Sequence, residues 1–183
     1  YVDDPEFILV VPEAPYIVQG EDGYLRKQYS WYPKLKSQEQ SHQAINQIDQ
    51  YMMNILEHMR NNYHISHTYL MGFSQGAFFA YYSGINHPEK FDGIFCYAGR
   101  FPENDKKTSL LTETKLEKGK TLKVFIAHGR KDPVIKIRES RKAYRKLKQF
   151  GYPVELYLNQ KKHTVEKTTF RKGLEWLGVI ESD

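Results

Sequence analysis

Thr68-Tyr69-Leu70-Met71-Gly72-Phe73-Ser74-Gln75-Gly76-Ala77-Phe78-Phe79-Ala80-Tyr81-Tyr82 is the stretch on which the fold turns. It opens as a short strand and closes as a packed, largely apolar helix. Between them stands Gly72-Phe73-Ser74-Gln75-Gly76, a G-x-S-x-G pattern. Three fixed letters in five recur by chance in many chains, so the flanks carry the weight. A strand, a tight turn and a helix in this order make a nucleophile elbow, which lifts a serine hydroxyl clear of a sheet. Gly72 and Gly76 have a steric reason to be glycine, because strand and helix crowd each other at the turn. A helix that starts at Gln75 aims that residue's N–H at the place where an oxyanion would form beside Ser74.

A serine hydroxyl is a poor nucleophile at neutral pH. It needs a base, and the base needs an acid to orient it. In chains with this elbow the order is serine, then acid, then histidine. Leu122–Ala127 reads as a strand and opens into His128-Gly129-Arg130-Lys131-Asp132-Pro133-Val134, so Asp132 falls in a loop just past a strand end. Val154–Leu158 alternates as a second strand and leads into Asn159-Gln160-Lys161-Lys162-His163-Thr164. His163 therefore also follows a strand end. The intervals leave room for a helix and a strand between successive loops. His128, four residues from Asp132, is the rival base; the position beyond the final core strand favours His163.

These pieces resemble the phospholipase/carboxylesterase family of α/β-hydrolases, the group that includes acyl-protein thioesterases and small bacterial carboxylesterases. The matching segments are Pro12-Glu13-Ala14-Pro15, Ser30-Trp31-Tyr32, Met71-Gly72-Phe73-Ser74-Gln75-Gly76, His128-Gly129 with Asp132-Pro133-Val134, and His163-Thr164. They come in the family's order and span most of the chain. The elbow and the acid loop are the more specific matches. The resemblance implies Ser74, Asp132 and His163 as a catalytic triad, with the Gln75 N–H as one oxyanion donor. It also puts Trp31 and Phe101 near the acyl pocket, and Val134 of the acid loop is counted with them. It implies a serine hydrolase for carboxylic esters or thioesters that needs no metal or organic cofactor. One departure stands out. Family members carry an earlier strand ending in His-Gly, whose loop supplies the second oxyanion donor, and nothing before Phe7 can be that strand. The expectation is one α/β-hydrolase domain over 1–183 that lacks N-terminal strands and takes its second donor from outside this segment.

Strand and helix alternate elsewhere too, as expected of a mostly parallel sheet with helices on both faces. Phe7–Val11 is a continuous apolar run and reads as a strand buried on both sides. Glu21–Lys36 reads as a polar, aromatic loop. Ile45, Ile48, Met52, Ile55 and Met59 recur at helical spacing, and Ser37 with Gln40 can form a capping box. Pro88 ends the helix after the elbow, and Phe91–Tyr97 is the next strand. Glu103–Lys120 reads as a surface excursion. Phe170, Leu174 and Leu177 mark the buried face of a final helix.

Composition narrows the classes. A chain of 183 residues with 14 Tyr and 10 Phe can bury a full core, and no apolar run is long enough to cross a bilayer. Cys96 is the single cysteine, so no internal disulfide and no cysteine-rich metal site can form; in Gly93-Ile94-Phe95-Cys96-Tyr97 it reads as a small core residue. A cytoplasmic location fits. The net charge of +5 is concentrated in a helix from Arg138 to Lys148. Its buried face is marked by Ile137, Ala143, Tyr144, Leu147 and Phe150, which makes the basic residues its solvated side. Without a recognition motif that charge does not argue for nucleic acid. His42, His58, His64, His67 and His87 show no pairing that suggests a metal. The expected partner is a small ester or thioester, with no stable membrane insertion; a homodimer stays open. Two rivals remain. Tyr24, Tyr29, Trp31 and Tyr32 could favour aromatic acyl groups, as in feruloyl-type esterases. The missing oxyanion loop would also suit a non-catalytic, ligand-binding member of the fold.

Overall fold

The computed structural model describes residues 7–18, 28–32, 37–102 and 110–181. It divides into two compact units, Tyr1–Ile48 and Asp49–Asp183.

In the first unit, β1 (Tyr16–Val18) and β2 (Gln28–Ser30) pair antiparallel with Ile17 opposite Tyr29. Two of the expected aromatics, Trp31 and Tyr32, follow β2 and are half-buried; Tyr24 lies outside the described residues. Phe7–Val11 departs from expectation. It forms no strand, and its side chains are between 42% and 79% exposed. A five-residue apolar run looks the same in sequence whether or not a neighbouring strand receives it. Among the described residues none pairs with it, so its backbone is in no ladder. Helix α1 (Gln38–Asn62) begins here and continues into the second unit. The Gln40 N–H meets Ser37 Oγ at 3.5 Å, one arm of the expected box. Ile45 and Ile48 are buried, and Met52, Ile55 and Met59 are half-buried, along the face that their spacing marks.

The second unit is built on a four-stranded sheet in the order β3 (Tyr69–Phe73), β4 (Gly93–Tyr97), β5 (Lys123–Gly129), β6 (Val154–Asn159), every neighbour parallel. Parallel neighbours need crossovers, and helices supply them. These are α2 (Gln75–Asn86), α3 (Glu113–Lys118) and α4 (Arg138–Gln149), with α5 (Lys167–Leu177) following β6. All of β4 is buried, and so is β5 except Lys123, as strands covered on both faces should be. Phe95, Tyr97, Phe125 and Ala127 point to one face and pack with Phe170, Trp176 and Leu177 of α5. Ile94 points to the other, where Gly84 of α2 lies against its side chain. Cys96 is buried in β4, and burial pushes its thiol well above the ordinary range.

α2 stops at Asn86, and Pro88 opens a single 3-10 turn, Pro88–Lys90. On α4, Ala143 and Leu147 are fully buried while the basic residues lie outward; Lys146 covers the Phe150 ring at 4.8 Å. The segment expected as a surface excursion is partly core. Residues 103–109 lie outside the described residues, but Leu111 and Leu116 are buried. Thr112 caps α3, and the Tyr152 hydroxyl donates to the Leu116 carbonyl at 2.8 Å. Two leucines among lysines and threonines carry too little periodicity to reveal this in sequence.

Candidate active site

The site is assembled from the carboxyl ends of β3, β5 and β6. At the end of β3 the chain turns so tightly that a Cβ on Gly72 would lie 2.1 Å from the Gly76 carbonyl oxygen. No side chain fits there. Ser74, between that strand and α2, has φ 55° and ψ −114°, a left-handed backbone that a non-glycine residue adopts only under strain. Two contacts hold it. The Ser74 N–H donates to the Tyr97 carbonyl at 2.9 Å, and its own carbonyl accepts the Ala77 N–H at 3.1 Å. Gly99 closes the other side, since a Cβ there would meet the Ser74 carbonyl oxygen at 2.7 Å. The turn therefore presents the Ser74 side chain at the sheet end, and Gln75 is the first residue of α2.

Ser74 Oγ lies 2.9 Å from His163 Nε2, and His163 Nδ1 lies 2.7 Å from Asp132 Oδ2. The structure thus brings the three residues named from sequence into one hydrogen-bonded chain. Asp132 is buried, and its other oxygen, Oδ1, accepts the N–H groups of Val134 at 2.8 Å and Ile135 at 2.9 Å. Burial alone would raise its pKa. The bond from His163 and the two backbone donors outweigh it and hold the carboxyl below its ordinary value. An ionised Asp132 beside Nδ1 keeps the imidazole proton on that nitrogen. Nε2 then faces the hydroxyl as an acceptor, which is the arrangement a general base requires. The Phe73 ring covers the imidazole at 4.7 Å.

His128 makes its shorter bonds elsewhere, and its Nε2 also lies 3.4 Å from Asp132 Oδ2. It is fully buried, with Nε2 2.9 Å from the Ile135 carbonyl and Nδ1 2.6 Å from Ser140 Oγ. A carbonyl only accepts, so Nε2 carries the proton and Nδ1 accepts from the serine hydroxyl. Burial pushes its pKa below the ordinary imidazole value, though the Ile135 carbonyl and the Asp132 charge oppose this. His128 is a neutral brace for the acid loop.

Two of the pocket residues named from sequence, Val134 and Phe101, lie in the second unit. Val134 is 58% exposed beside Asp132. Phe101 is buried, meets Tyr81 edge-on at 5.1 Å, and with Pro102, Leu111 and Leu116 lines a cleft of about 440 Å³ beside α4. Trp31 belongs to the first unit. Among the described residues no group of three or more His, Cys, Asp or Glu could hold a metal. His67 and His87 pair instead with single carboxylates, Asp92 at 3.0 Å and Asp49 at 2.8 Å.

Sequence reasoning missed the supports. Gly129 ends β5 so close to the loop carrying His163 that a Cβ would sit 2.2 Å from the Lys161 carbonyl oxygen. The Arg130 and Lys131 N–H groups donate to the carbonyls of Asn159 and Lys161, at 2.8 and 3.1 Å. The acid loop and the base loop are thereby zipped together. Glycine at the end of a buried strand is the one available signal.

A model of the phospholipase/carboxylesterase family matches residues 1–179. The chain belongs to that family. Acyl-protein thioesterase 1 of Mycosarcoma maydis is 37% identical over 90 residues, 49% of this chain and 34% of that protein. The match thus spans about a third of the relative's length. Among solved structures, esterase PE8 superposes with a TM-score of 0.69 at 23% identity, covering 91% of this chain and 75% of that one. Arabidopsis thaliana SOBER1 superposes with a TM-score of 0.68 at 18% identity, covering 92% and 81%. At these identities the superpositions establish the α/β-hydrolase fold.

Proposed function

We propose that this member of the phospholipase/carboxylesterase family is a serine hydrolase that cleaves carboxylic esters or thioesters through an acyl-enzyme on Ser74. The observation that carries the reading is the unbroken run of short bonds from Ser74 Oγ through His163 to Asp132. In the first step His163 Nε2 takes the hydroxyl proton as Oγ attacks the carbonyl carbon. The negative charge that develops on the carbonyl oxygen is met by the Gln75 N–H at the start of α2. Collapse of the tetrahedral adduct expels the alkoxide or thiolate, which takes the proton from His163. Water then attacks the acyl-Ser74 ester, gives a proton to Nε2, and the second collapse releases the acid and restores the serine. Asp132 keeps its charge throughout and stabilises the imidazolium. Every proton is handled by His163, so the cycle needs no cofactor.

Val134, exposed beside Asp132, and Phe101, two residues beyond Gly99, are our assignments for the acyl side of the site. Among the described residues no helix is long and apolar enough to cross a membrane. We assign the protein to a reducing compartment such as the cytoplasm on its single, buried, unpaired thiol.

The test is labelling with a fluorophosphonate and mapping of the adduct by mass spectrometry. The expected adduct is on Ser74, with turnover of p-nitrophenyl butyrate lost in Ser74→Ala. A Ser74→Ala protein that keeps its turnover refutes the reading.

A further inference from the structure

His163 and Ser74 belong to strand ends three places apart in the sheet. At the usual spacing of about 4.8 Å between neighbours, that is about 14 Å. The loop 160–166 must therefore fold back across the ends of β5 and β4 to bring the imidazole onto the serine. Something must hold it there. We propose that Tyr97, Asn159 and Thr169 are positioning residues that set the reach of His163 to Ser74, a role that rests on the serine-hydrolase reading above.

Tyr97 ends β4, the strand of the sheet core that contributes no member of the trio. Its backbone carbonyl accepts the Ser74 N–H at 2.9 Å. Its phenol oxygen accepts twice from the His163 loop, from Asn159 Nδ2 at 2.6 Å and from the Glu166 N–H at 3.3 Å. Asn159 stands where the loop begins and Glu166 where it ends, so one tyrosine grips both ends of the base loop and the backbone of the serine. The second Nδ2 hydrogen of Asn159 goes to Thr169 Oγ1 at 2.8 Å, and Asn159 Oδ1 accepts the Lys161 N–H at 2.9 Å. The Lys161 N–H, an obligate donor, fixes the amide orientation, because a flipped amide would set its NH₂ against that N–H. Thr169 Oγ1 donates its own hydrogen bond to Glu166 Oε2 at 2.5 Å, and the same oxygen caps α5 by accepting the Thr169 N–H. Tyr97 and Thr169 are fully buried and Asn159 is 8% exposed. Water is kept from the two Asn159 Nδ2 bonds, which are buried, so they hold geometry rather than sample it. The Phe73 ring fills the space between, 5.9 Å from Tyr97 and 4.7 Å from His163.

A network that only stabilised the fold would, when cut, lower every reaction in proportion to the protein lost. A network that positions His163 has a different signature. Expulsion of an alkoxide needs a proton from Nε2, whereas p-nitrophenolate leaves with little help. A displaced imidazole therefore hurts ethyl butyrate more than p-nitrophenyl butyrate, although both form the same acyl-enzyme.

The experiment compares kcat/KM for these two esters in Tyr97→Phe and Thr169→Val, with active enzyme counted by exhaustive fluorophosphonate titration. Tyr152→Phe is the control, because it removes an equally buried hydroxyl bond, to the Leu116 carbonyl, away from the base loop. The expected result is that the ethyl-to-nitrophenyl ratio of kcat/KM falls about tenfold in both variants and stays unchanged in Tyr152→Phe. An unchanged ratio in either soluble variant overturns the proposal. Thr169→Val, which differs least in shape, decides it if Tyr97→Phe does not fold. Turnover that survives Ser74→Ala would instead remove the underlying reading, so the two failures are distinguishable.

Discussion

Asp132→Asn tests the orientation of the base most directly. The two oxygens of Asp132 are not equivalent. Oδ1 accepts two backbone N–H groups, from Val134 and Ile135, and Oδ2 faces His163 Nδ1. An asparagine must keep its carbonyl oxygen on the backbone pair. Turning its NH₂ toward them would leave two buried N–H donors unmet, at about 1–3 kcal/mol each. The NH₂ is thereby forced toward Nδ1 at a separation of about one hydrogen bond. Two donors cannot share that contact, so His163 moves its proton to Nε2. Nε2–H then points at the Ser74 hydroxyl and cannot take its proton. His128 cannot relieve this, because its Nε2–H is committed to the Ile135 carbonyl. The expected loss is that of a triad frozen in the wrong tautomer, about 10⁴ in kcat, or about 5 kcal/mol of transition-state stabilisation. The assay is steady-state hydrolysis of p-nitrophenyl butyrate near neutral pH, with folding checked by circular dichroism. If Asp132→Asn keeps more than about a tenth of the wild-type rate while His163→Ala is inactive, the tautomer argument is refuted.

Gly72→Ala should abolish soluble, folded protein, since its Cβ would sit 2.1 Å from backbone at Gly76; recovery of wild-type thermal stability would contradict the elbow geometry. Leu147→Ala removes a fully buried side chain from α4 and should cost about 2–5 kcal/mol in urea unfolding, with the ethyl-to-nitrophenyl ratio unchanged. His128 adds a pH dependence. Its folded pKa lies below the ordinary value of about 6.5, so the unfolded chain binds the extra proton. Its contribution is complete above about pH 6.5 and is lost as the pH falls toward the folded value. Urea unfolding from pH 8 to 5 should show this fall, and His128→Asn should flatten it. Asp132, whose folded pKa is also depressed, contributes stability present above its unfolded value of about 3.9 and lost as the pH falls through the lower folded value. Acid unfolding of Asp132→Asn should therefore be shallower below about pH 4.

The sequence disclosed this molecule unevenly, and the reasons are physical. Local signals were legible. Gly72 and Gly76 around Ser74, the apolar strand before Asp132 and the alternating strand before His163 each mark a strand end within a few residues. The amphipathic spacing of Ala143, Tyr144 and Leu147 likewise marks the buried face of α4. Signals that depend on an absent or distant neighbour were not legible. Phe7–Val11 has the composition of a buried strand, yet burial belongs to the pair of surfaces and not to the run, and its side chains are exposed. Leu111 and Leu116 looked like strays in a polar stretch, yet they are core. Trp31 could be named from resemblance, but a single aromatic carries no information about distance to a loop more than 40 residues away.

The least legible part is what the site geometry needs most. The proposed catalytic side chains, at the ends of β3, β5 and β6, leave a gap at the end of β4, and a sequence motif holds only the reacting groups. Tyr97 reads as the last residue of a buried strand, and Asn159 and Thr169 as ordinary polar residues near a loop. Their bonds join positions 62, 69 and 10 residues apart, a separation at which no periodicity operates. Yet the reach of His163 is a sum of small displacements along that loop. A proton transfer across 2.9 Å tolerates little of it, because a misplacement of about 1 Å can cost about a hundredfold in rate. On the proposed reading the chemistry resides in three residues while its precision is distributed over the strand between them. Substitutions on the end of β4 should therefore alter leaving-group selectivity without touching a reacting atom.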